Sequence, residues 1–137
     1  MSKYKFLEHT ADIKYQAFGK TLEECFKNSV YALKEIITKE AIKPVKKKTI
    51  KIKGKDKESL LYNFLEEFLF LLDSENFIIS KVGMMKIDLK KFRIKAIIYG
   101  DDIKKYNTIT DIKAITYHDM FINKENDKYT CQVVLDV

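Results

Sequence analysis

Hydrophobic and polar residues alternate through Tyr4 to Leu7 and again through Ile13 to Phe18, where Ile13, Tyr15 and Ala17 fall on one face. That alternation predicts two short β-strands. Between them the Glu8-His9-Thr10 stretch reads as a turn. From Thr21 the pattern changes. Leu22, Phe26, Val30, Leu33 and Ile37 recur at helical spacing, which predicts an amphipathic helix ending near Lys39. Thr21 followed three residues later by Glu24 is a capping-box pattern for its start.

After Pro44, the segment Val45 to Lys53 sets lysines between apolar positions around Ile50 and Ile52, and Gly54 closes it as a half-exposed strand. Asp56 can cap a second helix reaching about Asp73. Its broad apolar stripe, from Leu60 and Leu61 to Leu71 and Leu72, predicts the most buried helix of the chain. Beyond it the pattern is β again, over Phe77 to Leu89, Phe92 to Tyr99, Ile112 to Ile122 and Tyr129 to Val137. Gly100-Asp101-Asp102 and Asn123 to Asp127 read as turns between these strands. The order β-β-α-β-α-β-β-β-β predicts an α+β fold, a largely antiparallel β-sheet covered by two α-helices.

Composition narrows the picture. The 137 residues contain no Gly/Ser/Pro-rich linker and are expected to form one domain, residues 1–137. With 46% apolar residues, 9 Phe and 8 Tyr, a core can be buried. Met1 to Lys5 has no signal-like apolar run, and the longest apolar stretch, Phe68 to Leu72, falls far short of the ~20 residues that span a bilayer. No membrane association is expected. Cys25 and Cys131 lie far apart in helix-like and strand-like patterns, which suits buried thiols and a cytoplasmic location.

Net charge is +6, and Arg93 is the one arginine among 26 basic residues. Bidentate reading of bases leans on arginine, so this balance argues against sequence-specific nucleic-acid recognition. A Lys-, Glu- and Ile-rich composition accounts for the charge without a ligand. The Lys46-Lys47-Lys48 run, with Lys51, Lys53 and Lys55, reads either as an electrostatic tRNA contact or as protection of an edge strand.

Catalytic motifs are few. None of the four glycines forms a nucleotide-binding loop, His9 and His118 have no zinc-spaced partners, and no Ser-His-Asp or Cys-His arrangement stands out.

Three segments remain: Glu8-His9-Thr10-Ala11-Asp12, Lys113-Ala114-Ile115-Thr116-Tyr117-His118, and Val133-Val134-Leu135-Asp136-Val137. The first resembles the D-H-T-A-D turn of the archease family, the second its K-A-[IV]-T-Y-H strand, and the third its V-L-D-[IV] terminus. Gly19 to Glu24 and Glu58 to Leu61 resemble further family stretches, so the match spans the chain. Two departures are Glu8, where the family has aspartate, and Lys14, where it often has a small residue.

The resemblance implies a non-catalytic accessory protein that activates an RtcB-type tRNA-splicing RNA ligase by promoting its guanylylation and turnover. It also implies a divalent-cation site, of calcium type with Mg²⁺ or Mn²⁺ as alternatives, formed by Asp12, Asp136 and a backbone oxygen of Val137. His9 would orient Asp12 or, equally, cap backbone groups of its turn, and Lys113 would contact the ligase or the carboxylates or stand as a solvated strand lysine. Contact with tRNA would be indirect. A second family role is a chaperone-like partner of a tRNA methyltransferase. From the residues alone, Asp12 reads first as an aspartate bonding its own turn, and Asp136 equally as a solvated strand end. A small metal-dependent hydrolase and a lysine-rich RNA-binding module are further readings.

Overall fold

The computed structural model describes residues 2–7 and 12–137. Its elements are β1 (Tyr4–Leu7), β2 (Ile13–Gly19), α1 (Leu22–Ile37), β3 (Lys46–Lys53), α2 (Lys57–Glu75), β4 (Phe77–Asp88), β5 (Arg93–Asp102), β6 (Ala114–Glu125) and β7 (Lys128–Asp136), with a short 3₁₀ turn at Ile103–Lys105. The α+β class and the element order are those the pattern predicts. The expected Glu8-His9-Thr10 turn lies outside the described residues.

The strands divide between two antiparallel sheets, one of order β1-β2-β7-β6 and one of order β3-β5-β4. Both helices touch both sheets: α1 packs on β1, β2 and β7 of the first and β4 of the second, while α2 packs on β6 of the first and β3, β4 and β5 of the second. The helices therefore form a middle layer with a sheet on either side. Each sheet keeps one face for the helices and one for solvent, which is why β3 alternates buried Ile50 and Ile52 with exposed Lys51 and Lys53. Which strands share a sheet is a non-local choice that alternation cannot reveal.

Burial of the helices reverses the expectation. In α1 ten of sixteen residues are buried, Asn28 and Ser29 among them, against seven of nineteen in α2. The polar groups of α1 are satisfied by β2: Asn28 Nδ2 donates to the Phe18 carbonyl at 2.7 Å, and the Tyr15 hydroxyl donates to the Ser29 carbonyl at 3.1 Å. A sequence stripe counts apolar positions, and so it overlooks polar ones buried by a strand that supplies their partners.

Local chemistry fixes the helix starts. Thr21 Oγ1 accepts from the Glu24 backbone N–H at 3.1 Å, and Glu24 Oε1 accepts from the Lys20 N–H. Asp56 caps α2 in a reciprocal bond with Ser59. Helix α1 stops at Ile37, two residues before the expected end, because Thr38 leaves the helical region and its hydroxyl donates to the Asn107 carbonyl at 2.6 Å.

Gly100, Asp101 and Asp102 are not a turn but the end of β5, paired with Ile79, Ile78 and Phe77. Gly100 is there for close approach. A Cβ at that position would stand 2.1 Å from the Ile78 carbonyl oxygen and 2.6 Å from Phe77. The turn between β6 and β7 is shorter than expected: Asn126 and Asp127, at φ of 49° and 56°, form a two-residue hairpin loop.

The core runs continuously from the first sheet through the helices to the second, with Phe26 stacked on Phe64 at its centre. Cys25 and Cys131 are buried free thiols, as expected. The hydrogen bond with Cys131, reinforced by burial, pushes the Cys25 thiol well up, so it stays protonated. Among the described residues no helix is long and apolar enough to cross a membrane.

Candidate functional site

The site is built by register. Strand β2 begins at Ile13, which pairs with Leu135 near the end of β7; Leu135 in turn pairs with Ile115 near the start of β6. One end of the four-stranded sheet thus gathers residues from both extremities of the chain. Asp12 lies one residue before Ile13 and Asp136 one residue after Leu135, so they are the next residues on adjoining strands. Asp12 is half-buried in a bend, Asp136 is exposed, and Val137 is half-buried against the core.

Lys113 belongs to the same end. Its backbone N–H donates to the Asp136 carbonyl at 2.8 Å, while its side chain is exposed. That bond engages the Asp136 main-chain oxygen, which leaves the carboxylate as the oxygen group Asp136 can offer outward. His9 lies outside the described residues. Among the described residues no cluster of three or more His, Cys, Asp or Glu side chains is gathered for a metal ion. Asp12 and Asp136 bring two carboxylate side chains to this end of the sheet, next in sequence to the backbone of Val137. Hard oxygens of this kind suit Ca²⁺, Mg²⁺ or Mn²⁺, and they fall short of the ~6–8 ligands Ca²⁺ takes.

Two features of this sheet were not legible in the sequence. First, Lys14 Nζ lies 3.2 Å from Asp119 Oδ2, and His118 Nε2 lies 3.4 Å from the same oxygen. Asp119, at φ 53°, sits in the irregularity where β6 breaks register with β7 between Thr116 and Phe121. Gln132 Nε2 donates to the Asp119 carbonyl and Gln132 Oε1 accepts from Gln16 Nε2, both at 2.9 Å, so a polar track crosses β2, β7 and β6. The lysine that departs from the family pattern is thus the cation of this track. Second, Tyr117 stacks on Tyr62 of α2 with ring centroids 4.3 Å apart. Burial, ahead of nearby carboxylates, raises the pKa of both phenols. Only an aspartate in a β-rich run could have hinted at the first feature, and its partner is 105 residues away.

A third unanticipated group is Asp101, 1% exposed, at the far end of β5. The Tyr106 hydroxyl donates to it at 2.7 Å, and Lys105 Nζ approaches to 3.2 Å. The Tyr106 bond, with those from Asp102 and Lys105, holds its carboxyl below the usual range.

The profile of the "Archease protein family (MTH1598/TM1083)" matches residues 4–137. A "Protein archease" of Pyrobaculum islandicum is 41% identical over 98% of this chain and 95% of its own length. A "Protein archease-like" of Dictyostelium discoideum is 35% identical over 100% of this chain and 95% of its own. The solution structure of Methanobacterium thermoautotrophicum Protein 1598 superposes with a TM-score of 0.85 at 31% identity, covering 100% of both chains. A Thermotoga maritima protein described as "an archease, possible chaperone" has the same fold, with a TM-score of 0.68 at 22% identity over 97% of this chain and 96% of its own. With the family profile spanning β1 to the last residue and full-length relatives above 30% identity, this chain belongs to the archease protein family.

Proposed function

We propose that this chain is a non-catalytic accessory protein of the cytoplasm. In this reading it activates an RtcB-type tRNA-splicing RNA ligase, promoting its guanylylation and repeated turnover, with a divalent cation held by Asp12, Asp136 and Val137. One observation supports the reading: the β2–β7 register ends at Ile13 and Leu135, so Asp12 and Asp136, distant in sequence, each stand one residue beyond the same rung at one end of the sheet. Ca²⁺ is the expected ion, with Mg²⁺ or Mn²⁺ as alternatives.

Asp12, half-buried, supplies the more fixed oxygen; exposed Asp136 supplies one that can reorient. Val137 adds a backbone oxygen. The cation, when bound, contributes positive charge with coordination positions left for water or for anionic groups of a partner. Lys113, whose backbone N–H bonds the Asp136 carbonyl, can contact acidic groups of the ligase, and the tRNA ends being joined are held by the ligase. His9 is assigned to orienting Asp12.

The test is multiple-turnover joining of RNA ends by the cognate ligase with GTP and metal, with no addition, with this protein, or with Asp12→Ala. Acceleration by the wild type and loss of it in the variant are expected. No effect of the wild type would overturn the reading. A second reading is a chaperone-like partner of a tRNA methyltransferase, and the word chaperone also stands in the description of the Thermotoga maritima protein. That reading expects Asp12→Ala to keep the methyltransferase soluble as well as wild type does.

A further inference from the structure

The outer face of the three-stranded sheet concentrates the charge of the molecule. Antiparallel pairing sets Lys51 of β3 opposite Lys95 of β5, and Lys95 opposite Lys86 of β4, so three lysines form one rung across the sheet. The next rung is Lys53, Arg93 and Asp88. With Lys90, and with the apolar side chains of Ile52, Ile87, Leu89 and Ile94 between them, they line a depression of about 930 Å³. All six cations are exposed. Among the described residues none of them has a carboxylate within ion-pair distance. Asp88, the one acid, is turned to its own loop, where Oδ1 accepts from the Lys90 and Lys91 backbone N–H groups at 2.9 and 3.2 Å. Six cations and one acid give the depression +5 of a chain whose total is +6.

Folding does not ask for this arrangement. Like charges directly opposite one another destabilise a sheet. Protection of an edge strand accounts for lysines on β3 and on β4, but β5 is the central strand, and its Lys95 and Arg93 lie between neighbours on both sides. The pattern makes sense if an external anion neutralises it.

We propose that this face binds the phosphodiester backbone of a nucleic acid, without reading its sequence. A repeating polyanion matches cations that recur two residues apart on β3 (Lys51, Lys53) and β5 (Arg93, Lys95), with Lys86 of β4 beside them. The scarcity of arginine removes bidentate base reading, but backbone contact needs only point charges, which lysine supplies. Tyr99, on the same face between Lys47 and Lys81, adds an aromatic ring of the sort that accompanies such grooves, with Lys81 Nζ 5.0 Å from its centroid. A depression admits a chain of phosphates, whereas a bilayer surface cannot enter it. The proposal is independent of the ligase and of the carboxylate end of the other sheet.

The test is anisotropy of a labelled single-stranded RNA 20-mer, and of its DNA counterpart, titrated with the full chain across a salt series. Four to six neutralised phosphates predict a log–log salt slope of about −3 to −4. Lys51→Gln/Lys86→Gln/Lys95→Gln should flatten that slope by about 2 and cost tenfold or more at low salt. Lys5→Gln/Lys20→Gln/Lys104→Gln, with the same loss of charge on exposed positions elsewhere, should change affinity less than twofold. Equal weakening by both triples, or no RNA binding at low salt, overturns the proposal. So does face-dependent binding of phosphatidylserine vesicles without binding of RNA. If the face triple fails to fold, Lys95→Gln alone decides, with an expected slope change of about 0.7.

Discussion

Replacing Lys95 by glutamate should make the protein more stable, and the gain should fade with salt. Lys95 stands directly between Lys51 and Lys86. Cβ atoms of such pairs lie ~4.5–5.5 Å apart, and long side chains can splay their ammonium groups to about 7 Å. At that separation each repulsion is about 0.6 kcal/mol in water before screening. Ions at 10 mM leave roughly 0.5 kcal/mol of it, at 0.15 M roughly 0.25, and at 1 M almost none. Lys95→Glu turns two repulsions into two attractions, a swing of about 2 kcal/mol at 10 mM and about 1 kcal/mol at 0.15 M. Lys95→Gln should give half of each. Urea denaturation at the three salt concentrations measures this directly. Lys5→Glu is the control, because it makes the same change in net charge opposite the neutral Gln16. A lower midpoint for Lys95→Glu, or a shift equal to the control or independent of salt, refutes the reasoning. Together with the nucleic-acid titration, the expected result would mark Lys95 as a residue that costs stability in the free protein.

Other expectations concern the core, a glycine and a buried acid. Phe64→Ala, at a fully buried position stacked on Phe26, should cost about 3–5 kcal/mol in urea denaturation with little change in m. Gly100→Ala should cost at least ~1–3 kcal/mol, because the new methyl meets the Ile78 carbonyl rather than a movable side chain; a neutral result would mean that β4 and β5 shift apart freely. Asp101→Asn bears on pH. The folded pKa of Asp101 lies below its unfolded value, so its ionised form adds stability above the unfolded pKa, and that stability is lost as pH falls through the folded one. The wild type should therefore melt above Asp101→Asn at neutral pH, with the gap closing in acid. A gap that is constant from neutral to acid pH would exclude the ionised carboxylate as its source.

What could be read in advance was local. Thr21 with Glu24 and the alternation of Ile13, Tyr15 and Ala17 act within a few residues, and each marks its element correctly. What could not be read depends on distant partners. Gly100-Asp101-Asp102 has turn composition, yet Gly100 is required by the approach of β4, and Asp101 is bonded by Tyr106 after the chain has bent back. The split into two sheets is likewise a matter of which strand meets which. At the candidate site, motif resemblance singled out Asp12 and Asp136, and the register adds that each stands one residue beyond the Ile13–Leu135 pair. The Lys14–Asp119 pair had no motif to point to it, because Asp119 owes its place to a break in strand pairing.

The strand order of the first sheet has a consequence for how the chain comes together. Its central partner for β2 is β7, made long after β2, and Ile13 must find Leu135 across 122 residues. During synthesis the β1–β2 hairpin waits with one edge open, and α1 has half of its sheet to pack on, until β7 arrives. Closure of such long loops before any reward slows folding. Refolding should therefore be limited by docking of β7, and a nascent chain stalled before Lys128 should expose the β2 edge to any strand-forming neighbour.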